Sequence, residues 1–260
     1  MIIDPGFDDL AMTMILFAMV ILLSIREGLN IERSLAIATL RTVVQLFFIG
    51  YVIKGLFAVD AWYIIVGALL LMMTYAAKAG LGRMKKQVPG LFLPMWVGVV
   101  TGSIFTIAVV TGVTLKIDPW YRPDVLIPLG GMILGNAMNG GSIAADRLYS
   151  EIRGSKDQIE TYLMLGRDYR HAAKEARREA VRAALIPTIN AMMTVGLVHL
   201  PGMMVGQLLG GVDPVVAAKY QIIIMLMVAS SVTVASSVFT AMALKSYFTK
   251  NQMLNLKLLD

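Results

Sequence analysis

Long apolar runs with few charges alternate with short polar turns along most of this chain. Runs near 7–25, 34–53, 61–77, 92–114, 125–145, 184–205 and 219–244 each match the roughly 20-residue helix that crosses a bilayer. Spanning β-structure would instead show alternating segments of about ten residues. The pattern predicts an all-α, polytopic transmembrane helical bundle of about seven spans, one domain over residues 1–260. One stretch breaks the rhythm. The segment 146–183 is a polar insert that holds nine of the 23 Lys/Arg and seven of the 17 Asp/Glu.

The insert divides into three predicted pieces. The fifth span runs on through Arg153 and breaks at Gly154. Ser155-Lys156-Asp157-Gln158 has the form of a capping box, opening a short helix that carries Ile159, Glu160, Tyr162, Leu163 and Met164 and ends at Gly166. Asp168 can cap the next helix, from Tyr169 to about Leu185, where His171–Glu175, Glu175–Arg178 and Glu179–Arg182 have the spacing of solvated side-chain pairs. A transverse helix slung between two stalks is badly placed to be core. Its apolar residues therefore point to a docking surface for a soluble partner over 156–166, against the alternative of a loop packed on its own protein.

Composition agrees with a membrane protein: 57% of residues are hydrophobic and 15% charged, against about 25% charged in soluble domains. Alternate turns carry Arg26 and Arg33, then Lys78, Arg83, Lys85 and Lys86, then the insert, then Lys245, Lys250 and Lys257. The opposite side holds only Lys54, Lys116, Arg122 and Lys219. The positive-inside rule then places the N-terminus outside and the insert and C-terminus in the cytosol. Asp4, Asp8 and Asp9 before the first span argue against a cleaved signal peptide. The net charge of +6 is this topological bias and calls for no nucleic-acid partner. With no cysteine, disulfide and thiolate chemistry are excluded.

Several polar residues interrupt the spans. Arg41 lies about two turns into the second span, with Gln45 one turn further on the same face. A cation there costs on the order of 3 kcal/mol, so it lines a pathway or pairs with Glu27, Glu32 or helix-end carbonyls. In the fifth span Gly131-x-x-x-Gly135 is a close-packing pattern, and so many nearby glycines allow a kink. Asn136 and Asn139 share a face there, either as interhelical glue or along a substrate path. Gly98-x-x-x-Gly102 and Gly206-x-x-x-Gly210 repeat the packing pattern. In the last span Ser230, Thr233 and Ser237 form a stripe that reads as a packing seam. The 19 methionines are either apolar filler or soft-metal ligands. Met203 and Met204, near His199 and Asp213, make the one candidate ligand cluster.

The chain shows no G-x-x-x-x-G-K-[ST] phosphate loop and no paired intramembrane carboxylates of an ion-coupled carrier. Three readings remain open: a permease driven by a separate ATPase, a self-sufficient carrier or channel, and a scaffold that recruits a signalling protein.

Three stretches, Arg41-Thr42-Val43-Val44-Gln45-Leu46, Ile127 through Asn139 and Leu200 through Gln207, resemble the FetB family of ABC-transporter permeases, associated with iron export and including plant relatives linked to aluminium tolerance. The resemblance covers nearly the whole chain. It implies a non-enzymatic permease of the inner (plasma) membrane, homodimeric and paired with a FetA-like cytosolic ATPase that binds the ATP and Mg; this chain binds no cofactor itself. It also implies coupling through Ile159, Glu160, Tyr162, Leu163, Met164 and Gly166. Glu160 and Gly166 match the opening of the E-A-A-x-x-x-G importer motif only in part, since Thr161 and Tyr162 replace the alanines. A metal substrate would meet Met203, Met204, Gln207, Asn136, Asn139, His199 and Asp213. An anionic cargo such as a nucleotide sugar, with which plant relatives are connected, would suit Arg41 and Gln45 better.

Overall fold

The computed structural model describes residues 6–57, 61–84, 86–249 and 251–259. Lys85 and Lys250, which entered the charge count, and Asp4, which entered the signal-peptide argument, lie outside them. Two compact units emerge: Met1–Asp60 with Leu209–Gly211, and Ala61–Leu208 with Val212–Asp260.

The first unit holds α1 (Phe7–Arg26) and α2 (Glu32–Phe57). Asp9 Oδ2 accepts the Gly6 backbone N–H at 2.9 Å, satisfying one of the free donors that open α1. The turn between the helices passes through left-handed Gly28 (φ 62°). Ser24 Oγ donates to Glu32 Oε1 at 2.7 Å and ties the end of α1 to the start of α2. No residue of α2 is buried, so its apolar surface is left for lipid or another chain.

The second unit contains α3 (Trp62–Leu81), α4 (Phe92–Ala108, extended by a π-helical turn Val109–Thr114) and α5 (Pro123–Gly154). Then come α6 (Lys156–Met164), α7 (Tyr169–Ala172), α8 (Lys174–Thr194), α9 (Gly202–Leu209) and α10 (Pro214–Ala243). Val110, Leu129, Ile133, Ile224, Met227, Val228 and Val232 form a core joining α4, α5 and α10. Trp96 Nε1 donates to Thr74 Oγ1 at 3.1 Å between α4 and α3. No strand occurs among the described residues, only two isolated bridges, and the fold they show is all-α.

Four helices among the described residues are long and apolar enough to cross a membrane: Glu32–Phe57, Trp62–Leu81, Phe92–Thr114 and Pro214–Tyr247, with Met12–Arg26 a shorter apolar helix. Glycines and asparagines dilute α5, and Lys174 through Arg182 charge the first half of α8. The span expected over 184–205 is not one helix. Helix α8 stops at Thr194, and Val195 pairs with His199 across a turn with Gly196 at φ 81°. Pro201, which has no N–H to donate, precedes α9.

Contact distances reassign the small-residue motifs. Added methyl groups on Gly98 and Gly102 would sit 2.6 Å from the Ala235 carbonyl oxygen and 2.8 Å from that of Ser231, so α4 and α10 meet backbone to backbone. In α5 the expected pair is the wrong one: nothing lies within 4 Å of a methyl on Gly135, and only Met72 Cε, at 3.8 Å, approaches Gly131. The close approaches are Gly130 to Leu69, Gly140 to Val232 and Gly141 to Met95. Helix α5 also runs unbroken through these glycines. In α10 the packing seam is Ser231 and Ala235, whereas Ser230 and Thr233 are exposed and hydrogen-bond back to Leu226 and Ala229.

Substituting Gly98 by valine forces α4 off α10, and by the overpacking scale costs about 1–3 kcal/mol, while Gly135→Ala meets open space and removes a helix-weakening glycine. Thermal melts in detergent should show a clear loss for Gly98→Val and none for Gly135→Ala; equal losses would contradict the assigned packing.

Candidate docking arm and membrane pocket

The arm is built on a continuation of the bundle. Helix α5 carries its buried stripe past the apolar region through Leu148, Tyr149 and Ile152. Ser155 marks the corner, but the expected capping box does not form. Its Oγ donates back to the Glu151 carbonyl at 2.6 Å, so it closes α5 instead of opening α6. Helix α6 ends as its sequence suggests. Gly166 takes φ 79°, its N–H donates to Leu163 O at 3.0 Å, and Arg167 N–H donates to Tyr162 O at 3.0 Å. That pair of bonds is the Schellman closure, which needs the left-handed glycine.

Asp168 Oδ1 accepts the His171 N–H at 3.0 Å and starts α7. The helix expected from Tyr169 to about Leu185 is broken at Ala173 (φ −100°, ψ 16°), separating α7 from α8. Glu175 pairs with Arg178 at 3.0 Å and Glu179 with Arg182 at 2.6 Å. The His171 ring instead sits edge-on to Tyr162, with centroids 6.2 Å apart. Arg170 stacks over Tyr169, whose hydroxyl raises the guanidinium pKa by hydrogen bonding.

The docking set splits by exposure. Ile159 is 1% exposed and belongs to the arm's own interior, so it cannot touch a partner. Glu160 and Leu163 are half-buried and Gly166 is exposed. Tyr162 is exposed at the edge, and Met164 (80%) and Leu165 (73%) stand clear in solvent. Leu165, within the docking range 156–166 but not singled out there, is therefore among the most prominent apolar groups of the arm.

The C-terminal segment was also missed. After α10, Phe248 bridges Leu254, and Thr249 N–H donates to Met253 O at 2.8 Å. Phe248 stacks at 5.3 Å on Tyr169, and Tyr149 Oη donates to the Leu259 carbonyl at 3.4 Å. This hook places Asn251, Gln252 and exposed Met253 beside Leu163, Met164 and Arg167 around one cavity of about 450 Å³. The signal for it was the run of apolar residues Met253, Leu254, Leu256, Leu258 and Leu259 in the tail.

The intramembrane candidates scatter. On α2, Arg41 and Gln45 are exposed, and no ion pair of Arg41 appears among the described residues. Asn136 Nδ2 donates to its own helix at Met132 O, 2.8 Å away, and Asn139 Oδ1 accepts from Arg83 Nη1 at 2.7 Å. Asn139 is thus tied to the segment after α3. Asp213 caps α10, accepting the Val215 and Val216 N–H groups at 2.9 and 3.1 Å. His199 Nδ1 lies 3.4 Å from Thr194 Oγ1. Met203 packs on the bundle core, whereas Met204 faces a cavity of about 320 Å³ with Met192, Gln221 and Met225. Gln207 Oε1 is buried with no hydrogen-bond partner among the described residues. No group of three or more His, Cys, Asp or Glu able to hold a metal occurs among the described residues.

The family described as "Uncharacterised protein family (UPF0014)" matches residues 7–248. A UPF0014 membrane protein of Synechocystis sp. is 39% identical over 88% of this chain and 88% of its own length. The "Probable iron export permease protein FetB" of Escherichia coli is 31% identical over 95% of this chain and 94% of its own. The "Protein ALUMINUM SENSITIVE 3" of Arabidopsis thaliana is 30% identical over 92% of this chain and 86% of its own. No solved structure matches the chain.

Burying a carboxylate at position 159 should cost several kcal/mol, while position 165 is already in water. Circular-dichroism melts should show Ile159→Asp strongly destabilised and Leu165→Asp within about 0.5 kcal/mol of wild type; the reverse order would contradict the orientation of α6.

Proposed function

The chain belongs to the UPF0014 family, and on that footing we propose that this multi-pass membrane protein is the permease subunit of an ATP-driven ABC transporter. The observation that carries the reading is the arm. A short helix follows the corner at the end of a helix that starts inside the bundle, and its Met164 and Leu165 stand exposed among the described residues. Contiguous exposed apolar surface marks protein contact sites, and Met164, Leu165, Tyr162 and Met253 are all exposed, with Arg167 and Asp168 lining the cavity that Met164 and Met253 share. The chain carries no phosphate loop, so the nucleotide and its magnesium belong to a separate cytosolic ATPase of the FetA type.

On this reading α1 to α5, the α8–α9 pair broken at the Val195–His199 turn, and α10 make seven crossings, the N-terminus lies outside, and the arm and C-terminal hook face the cytosol. Two copies of the permease work with two ATPases. In bacteria the membrane concerned is the inner one. The cargo is iron or another metal ion, supported by the name of the Escherichia coli relative. Transport direction follows that name as export. Glu160 and Gly166 serve with Tyr162, Leu163, Met164 and Leu165 in coupling, and Ile159 anchors them from within.

One observation favours a second cargo. Arg41 is an exposed cation on an apolar helix with no ion pair among the described residues, which suits an anionic substrate such as a nucleotide sugar. Anion transport by wild type, lost in a stably folded Arg41→Ala protein, would carry that reading; metal transport that survives the same substitution would carry the first.

The test is co-purification from detergent of the tagged permease, as wild type and as the double variant Met164→Asp/Leu165→Asp. A P-loop ATPase should accompany the wild type and be lost from the folded variant. An ATPase retained by the variant would overturn the docking assignment, and none with either protein would favour a self-sufficient carrier or a scaffold.

A further inference from the structure

The cavity of about 320 Å³ between the end of α8, α9 and the first half of α10 has unusual wall chemistry. Most of it is aliphatic. Three of its side chains are methionines from three different helices: Met192 on α8, Met204 on α9 and Met225 on α10. One polar side chain joins them. Gln221 is 6% exposed, and its Oε1 is buried without a hydrogen-bond partner among the described residues. An amide oxygen so buried, with no donor among the described residues, is an uncommitted acceptor of a kind native proteins keep rare. Such an oxygen can serve as a ligand to a cation.

We propose that Met192, Met204, Met225 and Gln221 form a binding station for a soft, singly charged metal ion of the Cu(I) or Ag(I) class. The ligand set decides the class. Thioether sulfur is a soft donor that selects soft ions, whereas hard ions demand carboxylates and water. No cage of His, Asp or Glu exists among the described residues to receive a hard or highly charged cation. Charge points the same way. The cost of moving an ion from water into an apolar cavity rises steeply with its charge, and four uncharged donors offset it best for a monovalent ion.

Local structure supports the station. The Val195–His199 turn forms its wall at Val195 and Gly196, held by the Gly196 N–H donating to His199 O at 3.0 Å. Helix α9 is a separate short element after that turn, and on it Met204 lines the cavity while Met203 packs on the core. The three ligand-bearing helices are therefore joined by two short connections, and an ion bridging them would couple α9 to its neighbours. The inference rests on the reading of this chain as a metal permease, and names the site and the chemical class of the ion.

The test uses purified full-length permease in detergent and Ag(I) as the air-stable probe, followed by calorimetry and thermal melts. Cysteine is absent from the chain and histidine occurs twice, so thiolate sites cannot obscure the result. Wild type should bind one Ag(I) per chain tightly, with the affinity falling at least tenfold in Met204→Leu/Met225→Leu. Met193→Leu, at a methionine 72% exposed on the same helix end, should bind as wild type does. Gln221→Leu should melt at or above the wild-type temperature without ion, because an unpartnered amide is gone, yet lose the Ag(I)-induced rise. The absence of stoichiometric binding, unchanged affinity in the double variant, or equal loss in Met193→Leu would overturn the station. Stoichiometric Fe(II) binding that matches Ag(I) in affinity would overturn the assignment to soft ions. None of these measurements requires the ATPase. Failure here with ATPase capture intact removes only the station, and tight binding without capture removes only the ABC reading.

Discussion

Backbone contact between α4 and α10, made possible by Gly98 and Gly102, is the constraint on which the larger unit depends. In lipid, helices gain nothing from hiding apolar side chains from one another, so association rests on how closely their surfaces fit. At these two positions the neighbouring atoms are carbonyl oxygens, which cannot rotate aside as a side-chain end would. Helix α5 then fits against the same frame through Gly130, Gly140 and Gly141, and core residues such as Ile133 and Val232 close the remaining space.

The same helix connects this frame to the arm. Because α5 is continuous from Pro123 to Gly154, the orientation of α6 is set by a rod anchored in the bundle. Buried Ile159 seats α6 against the arm's interior, and the Schellman closure at Gly166 turns the chain back towards α7. The consequence is a rigid platform with Met164 and Leu165 on its outer surface, flanked by the C-terminal hook. Helices α5 and α8 join that platform to the bundle, and α8 also lines the Met-rich cavity, the connection that the proposed coupling would use.

Features governed by a few neighbouring residues were legible in the sequence. The break at Gly154, the helix end at Gly166 and the cap at Asp168 each follow from backbone chemistry within four residues. Features that depend on which helix lies alongside were not. Gly131-x-x-x-Gly135 has the packing spacing, yet its neighbour is open space, because the face of α5 that meets α3, α4 and α10 runs through Gly130, Gly140 and Gly141. Ser155 has the form of a cap but bonds backwards to Glu151. Met203 and Met204 are adjacent and chemically identical, and only the turn at Val195–His199 decides which faces the core and which the cavity. Hydropathy alone extended a span through that turn, since Val195 through Leu200 contains little charge.

The central claim is that α6 is held out in the cytosol. Because the chain has no cysteine of its own, a single Leu165→Cys substitution can be labelled with a membrane-impermeant maleimide in sealed right-side-out and inverted vesicles. Rapid labelling in inverted vesicles and none in right-side-out vesicles is the expected result. Labelling only from the outside would place the arm on the wrong side of the membrane and contradict the account.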